Sequence, residues 1–386
     1  MGDQRHDKQT SLNIAALVPY TVYPAKMGGQ KGIALFYQYL SEKLAVTIIS
    51  TRDNEFPAKT PAQYLDILGT SKYRYINPWL FFCFRKLIRE KSFSHLVLEH
   101  PYFGWLGILL KWTTQVKLVV HSHNIEALRF RSTGKWWWGI LWHYEKWVHR
   151  IANTSFFISE EDRQYAITRF KADPARCHTI TYGIEIPAIP SDSDRREARR
   201  KLESAYHIGP DEKILLFNGT LDYKPNTDAL EAILRQISPL LDKTPGYRYR
   251  ILICGKNLPE RFKTDQAGYL AEHVQYAGFV DDIRTFFLGA DVFLNPVTDG
   301  GGIKTKLVEA LGYNLTAVSS LNGAIGVDPG LSPGKLLVAD HADWEGFARM
   351  IREANLTENT SPAFFNHFYW ANIADKAANI LRTSHR

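Results

Sequence analysis

Short runs of β-branched and aromatic residues recur along this chain of 386 residues, each followed by a longer stretch with helical spacing, and that alternation leaves few folds open. In the first half the runs are Leu12 to Val18, Val46 to Ser50, Leu96 to Leu98, Leu118 to Val120 and Ser155 to Ile158. The series restarts at Ile214 to Phe217 and continues through Ile251 to Cys254, Val292 to Leu294 and Leu315 to Val318, with stretches such as Asn226 to Leu241 between. Strands joined by helices run parallel, so the pattern predicts an α/β protein of two doubly wound parallel sheets. Prolines and small polar residues from Glu185 to Asp194 read as the linker. This places a first domain over residues 1–186 and a second over 187–363. A helical, aromatic stretch from Phe364 to Leu381 is expected to pack back on the first domain, taking residues 364–386 with it.

The composition is that of a globular protein: 45% hydrophobic and 23% charged residues can bury sizeable cores. Cys83, Cys177 and Cys254 are odd in number and far apart, with no metal-ligand spacing, which predicts a reduced chain. The polar start lacks the apolar core of a secretion signal, and no run reaches the roughly 18 apolar residues of a spanning helix. A cytoplasmic protein is expected. The formal charge of +7 is uneven: residues 1–186 hold 24 Lys plus Arg against 15 Asp plus Glu, a net +9, which leaves −2 for the rest. A basic half suits an anionic membrane surface or a phosphorylated substrate, and the lack of any nucleic-acid module argues against nucleic acid.

Ligands of open parallel sheets bind beyond the carboxyl ends of the strands, and the unusual residues of this chain gather there. Gly300-Gly301-Gly302 separates the run Val292 to Pro296 from a helix repeating apolar residues at Ile303, Leu307, Ala310 and Leu311. Glycines let a backbone approach a ligand, and a helix start offers N–H donors to an anion. Lys304 and Lys306 add positive charge, and Glu309 can accept hydroxyl hydrogens. Gly28-Gly29 joins the first strand to a helix, His121-Ser122-His123 ends the strand at Val120, and Gly219 to Lys224 follows Phe217. Gly278-Phe279-Val280 offers backbone and a ring to a base. Lys135 to Arg150, with five tryptophans, has the aromatic and basic character of an interfacial helix; packing of its indoles on its own domain or on a partner is the competing reading. Asp192-Ser193-Asp194 falls in the linker and is assigned no chemistry.

Taken together, Gly28-Gly29, His123-Asn124, Asn218-Gly219-Thr220 with Lys224, Gly278 to Asp282, and Gly300 through Gly312 resemble the retaining glycosyltransferases of family four. The resemblance implies the GT-B fold, two Rossmann-like domains facing a central cleft. The segment from His123 to Asp162 is similar to bacterial members that build surface polysaccharides. The resemblance implies that Lys224 binds a donor diphosphate and Glu309 the ribose. Amides around Gly301, Gly302 and Ile303 take sugar and phosphate, Phe279 and Val280 the base, and His123 the transferred sugar, while Gly28, Gly29 and Gly219 approach the donor. Two positions depart from the family pattern: Gly301 stands where a glutamate is common, so that the carboxylate contact to the donor sugar is either missing or supplied by Asp299, and Thr220 where arginine is common, a charge left to Lys304 or Lys306.

The implied reaction moves a hexosyl group from a UDP- or GDP-sugar to a hydroxyl of a glycan or a polyprenyl-diphosphate-linked acceptor, with retained anomeric configuration. His123, Lys224 and Lys304 carry the chemistry, and neither metal nor cofactor is required. The first half is expected to meet the inner membrane face peripherally. A sugar-nucleotide epimerase, a phosphorylase and a noncatalytic nucleotide-sugar-binding partner of another transferase remain as alternative readings.

Overall fold

A computed structural model describes residues 12–25, 28–263 and 273–385. The chain divides into two compact units, Met1–Gly183 with Trp370–Arg386, and Ile184–Tyr369.

The first unit is built on seven strands: β1 Asn13–Leu17, β2 Ala45–Thr51, β3 Gln63–Leu68, β4 His95–Glu99, β5 Lys117–Ser122, β6 Thr154–Phe157 and β7 Cys177–Thr179. Their order is β3-β2-β1-β4-β5-β6-β7, all pairs parallel. The second unit has β8 Lys213–Asn218, β9 Tyr249–Cys254, β10 Val274–Gly278, β11 Val292–Asn295, β12 Thr316–Ser320 and β13 Leu336–Ala339, in the order β10-β9-β8-β11-β12-β13, again parallel. In each sheet the chain winds outward and returns beside its first strand. The order therefore reverses between β1 and β4 and between β8 and β11, the points where doubly wound sheets open a crevice.

The central strands are apolar on both faces because helices cover both. In β8, Ile214 and Leu216 pack into one core and Leu215 and Phe217 into the other; in β9, Leu252 and Cys254 oppose Ile251 and Ile253. Strands β3, β7 and β13 are not foreseen from the sequence. They are short or lie at sheet edges, where less of the strand is buried and the hydrophobic signal fades.

The supposed linker is partly helix. Ser191 caps the helix Asp192–Tyr206, its Oγ accepting from the Asp194 amide at 3.2 Å, so Asp192 and Asp194 are the acidic first turn of that helix. The aromatic C-terminal stretch is two helices, Pro362–Phe368 and Trp370–His385. Phe364, Phe365 and Phe368 belong to the core of the second unit, which corrects the placement of residues 364–369 on the first domain. Trp370 is buried in the first unit beside Phe36 and Tyr182.

Candidate functional site

In the second unit two glycines at the strand ends are there because no side chain fits. A Cβ on Gly219, just past β8, would lie 2.8 Å from Asn226 Nδ2, and one on Gly255, just past β9, would lie 1.9 Å from the Gly219 carbonyl oxygen. The Gly255 amide donates to the Gly278 carbonyl at 2.7 Å, carrying the line of strand ends to exposed Phe279 and half-buried Val280. At the other side of β8, Gly300 (φ +92°) and Gly302 (φ +72°) turn in the left-handed region open to glycine. The Asp299 carboxylate accepts from the Gly300 amide at 2.6 Å. Gly300 also faces the start of the helix Lys224–Ala232: a Cβ there would sit 3.4 Å from Pro225 and 3.7 Å from the Tyr223 hydroxyl. Gly219, Lys224, Asp299, Gly301, Gly302 and Ile303 therefore share one end of this sheet, at its switch point.

The three lysines differ in placement. Lys224 opens its helix with a side chain 76% exposed and pairs with Asp228, whose hydrogen bond and charge raise its pKa. Lys304 turns back on the glycine loop and donates to the carbonyls of Gly300 at 2.8 Å and Gly302 at 2.9 Å; burial pushes its pKa down to about 8 against the pull of Asp299. The helix accordingly begins at Thr305, two residues later than the apolar repeat suggests, with Lys304 as its cap. Lys306 donates to the Asn218 carbonyl at 2.9 Å and to Asn226 Oδ1 at 2.8 Å, over the Phe217 ring, and burial, then the charge of Lys304, push it down to about 7. Glu309, half-buried, lies on the same helix.

The first unit gathers a second set of groups at the ends of β1, β4 and β5. Gly28 and Gly29 are the first two residues of the helix Gly28–Ser41. His123 follows β5, and its Nε2 lies 2.6 Å from Glu99 Oε2, while His121 Nδ1 lies 3.0 Å from Glu99 Oε1. The Tyr37 hydroxyl also donates to Oε1, at 2.5 Å. Glu99 is 1% exposed; burial would raise its pKa, yet both histidines hold it well below the carboxylate range. The next residue, His100, has φ +63° and ψ 160°, a conformation close to glycine-only, and its ring centroid lies 4.7 Å from that of His123. His100 Nε2 meets the Tyr20 hydroxyl at 2.9 Å, and Nδ1 approaches Glu126 Oε1 at 3.2 Å. Burial opposes ionisation of Glu126, but His100, Arg129 and Tyr102 hold it down at about 2.

Glu99, His100 and Tyr37 are not among the residues anticipated from the sequence, whereas Glu126 closes the strand-end cluster His121 to Glu126 read there as able to orient sugar hydroxyls. The signal was there: a carboxylate and a histidine end the apolar run at Leu98, and parallel register sets Glu99 opposite His121. Among the described residues Glu99, His121 and His123 are also the one group of metal-ligand type, with ligand atoms within 4.8 Å of one another.

The helix Trp138–Ile151 divides its face. Trp142 donates to the Tyr165 hydroxyl at 2.9 Å and Glu145 is buried, whereas Trp136 just before the helix, Ile140 and Trp147 are exposed. Tyr73, Ile76, Trp79 and Phe82, on and before the helix Trp79–Lys91 of the same unit, are exposed as well. No helix among the described residues is long and apolar enough to cross a membrane.

Two parallel doubly wound domains with glycine-lined switch points define the GT-B class, and solved structures agree. A glycosyltransferase from Rickettsia africae has a TM-score of 0.72 at 16% identity, over 97% of this chain and 99% of that one. HepE of Anabaena in complex with UDP scores 0.72 at 15% identity, over 96% and 100%; WaaG, a glycosyltransferase of lipopolysaccharide biosynthesis, scores 0.63 at 14%, over 95% and 99%. No curated protein sequence matches the chain. The family described as Glycosyltransferase Family 4 matches residues 28–186, and that described as Glycosyl transferases group 1 matches residues 212–355. The chain belongs to the family four glycosyltransferases.

Proposed function

We propose that this glycosyltransferase moves a hexosyl group from a nucleoside diphosphate sugar to a hydroxyl of a glycan or polyprenyl-diphosphate-linked acceptor, retaining the anomeric configuration, in bacterial polysaccharide synthesis. The observation that carries the reading is the switch point of the second unit, where exposed Lys224 stands beside a loop of three glycines and the start of the helix Thr305–Gly312. Departure of a diphosphate is the demanding step. Charge developing on it is met by an ammonium and by helix N–H groups, electrostatic help worth about 3 kcal/mol per donor. Lys224 is the residue to deliver that charge, because it can leave Asp228 at little cost. The ammonium groups of Lys304 and Lys306 are engaged by backbone and Asn226 and shape the pocket. Glu309 takes the ribose hydroxyls, Phe279 and Val280 the base, Asp299 and the amides of Gly301, Gly302 and Ile303 the sugar and phosphate. Gly28 and Gly29 approach the phosphates and His123 the transferred sugar.

HepE has been solved in complex with UDP and with UDP-glucose, which supports a uridine nucleotide as the first donor to try. No metal is needed in this scheme, since lysines and amides supply the positive charge. Exposed aromatics among basic residues of the first unit support a site of action on the cytosolic face of an anionic membrane.

The test is to incubate the purified chain with labelled UDP- and GDP-hexoses, with and without a polyprenyl-diphosphate-linked glycan, before and after chelation. Release of nucleoside diphosphate with an α-linked product from an α-linked donor, resistant to chelator, supports the proposal. Epimer formation, dependence on inorganic phosphate, inverted product or binding without turnover would each overturn it.

A further inference from the structure

We propose that Glu99 is the positioning residue of His123: it holds the imidazole as the Nε2–H tautomer and thereby makes Nδ1 a hydrogen-bond acceptor for a hydroxyl of the ligand. This rests on the reading that His123 meets the transferred sugar.

The proton assignment follows from the surroundings of Glu99. An ionised carboxylate has only acceptors, so each nitrogen facing it must carry hydrogen. Glu99 receives three such donors: the Tyr37 hydroxyl at 2.5 Å and His121 Nδ1 at 3.0 Å on Oε1, and His123 Nε2 at 2.6 Å on Oε2. The far nitrogen of His121 is buried without a partner, so it offers no hydrogen-bonded route outward for a proton. His123 differs. The two nitrogens of an imidazole point in divergent directions, so with Nε2 turned onto Glu99 its Nδ1 faces away, and no described residue takes it as a hydrogen-bond partner.

The carboxylate end is rigidly set. Glu99 is the last residue of β4, in register with His121 of β5, and Tyr37 reaches it from the helix that begins at Gly28-Gly29. His123 therefore inherits its orientation from two strands and a helix. A group that orients a histidine and fixes its tautomer typically matters by about 10- to 100-fold when altered. The arrangement also selects its ligand: a sugar hydroxyl can donate to Nδ1, whereas a deoxy or O-methyl analogue at that position cannot.

The decisive measurement is the histidine tautomer in the full-length chain labelled with ¹⁵N-histidine, with the His123 signals assigned by their loss in His123→Asn. Wild type at pH 7.5 is expected to show His123 protonated on Nε2 and bare on Nδ1. In Glu99→Gln the amide oxygen still accepts from Tyr37 and His121, while its NH2 group faces His123 Nε2 and drives the proton to Nδ1. That variant is expected to lose about 10- to 100-fold in kcat, with a smaller change in donor KM. A wild-type His123 that carries its proton on Nδ1, or a Glu99→Gln protein with a switched tautomer and full kcat, overturns the inference. Should Glu99→Gln fail to fold, the wild-type tautomer still decides; a wild type that turns over no donor defeats the proposed reaction and leaves the tautomer assignment standing.

Discussion

The backbone of Gly219 passes so close to Gly255 that a Cβ at position 255 would lie 1.9 Å from the Gly219 carbonyl oxygen. Two strand ends meet there with no room for a side chain. Gly255→Ala must push the β8 and β9 ends apart and is expected to cost about 3 kcal/mol or more, with loss of nucleotide binding. Gly219→Ala meets the movable Asn226 side chain at 2.8 Å and should cost less stability. Chemical denaturation and thermal shift with UDP check both; equal tolerance of the two would contradict the packing argument.

Lys224 is the clearest separation of activity from folding. Its side chain is largely exposed and its one ion pair, to Asp228, is a surface pair of the kind worth little to stability. Lys224→Ala should lower kcat by about 10²–10³ and leave the unfolding midpoint unchanged within error. Lys304→Ala, by contrast, takes a donor from the carbonyls of Gly300, Gly301 and Gly302 and should lower stability as well as turnover.

Nucleotide binding should take up a proton at alkaline pH. Lys306 sits near pKa 7 because burial disfavours its charge, so at pH 8 it is mostly neutral. The charge of a diphosphate held at the neighbouring glycine loop favours the ammonium form, and binding then draws in up to about one proton; at pH 6 the ammonium is already present and that uptake disappears. Calorimetry of UDP binding in buffers of different ionisation heat reads this directly. The pH 8 uptake should vanish in Lys306→Gln.

Lys335 is 1% exposed, and burial, with the charge of Arg195, pushes its pKa down to about 7. A lysine depressed in the folded state binds fewer protons there than unfolded, so its cost is full at and below pH 7 and fades as pH rises toward the unfolded value of about 10.4. Lys335→Met should therefore stabilise the protein by about 1–3 kcal/mol at pH 7 and by less at pH 9. Urea unfolding at the two pH values is the check, and an advantage that grows with pH would refute the assignment.

Membrane attachment is best tested at the residues that face outward. Replacing Trp136, Ile140 and Trp147 by serine should weaken sedimentation with anionic vesicles at least tenfold, while Trp142→Ser should chiefly lower stability, since Trp142 is tied to Tyr165. Unchanged binding by the triple variant would remove the membrane from the picture.

Much of the fold was legible because it rests on local patterns. Runs such as Ile214 to Phe217 are apolar on both faces, and only a strand covered on both sides uses such a run. The triple glycine and the strand-end residues His123 and Gly219 were visible for the same reason. The helix at Asp192 was not, because Pro187 and Pro190 mimic a linker while the cap at Ser191 is a single residue. The break at Tyr369 was hidden in a continuous helical pattern, and Phe364 and Trp370 went to different cores.

What the amino-acid order determined by itself was which segments become strands, where they end and that glycines and lysines stand at those ends, since these follow from side-chain size and period along the chain. Only the tertiary structure decided where the charges point. Glu99 meets His123 because parallel register brings β4 beside β5, and Lys306 turns to Asn218 and Asn226 rather than outward because β8 and the helix after β11 are neighbours in space and not in sequence.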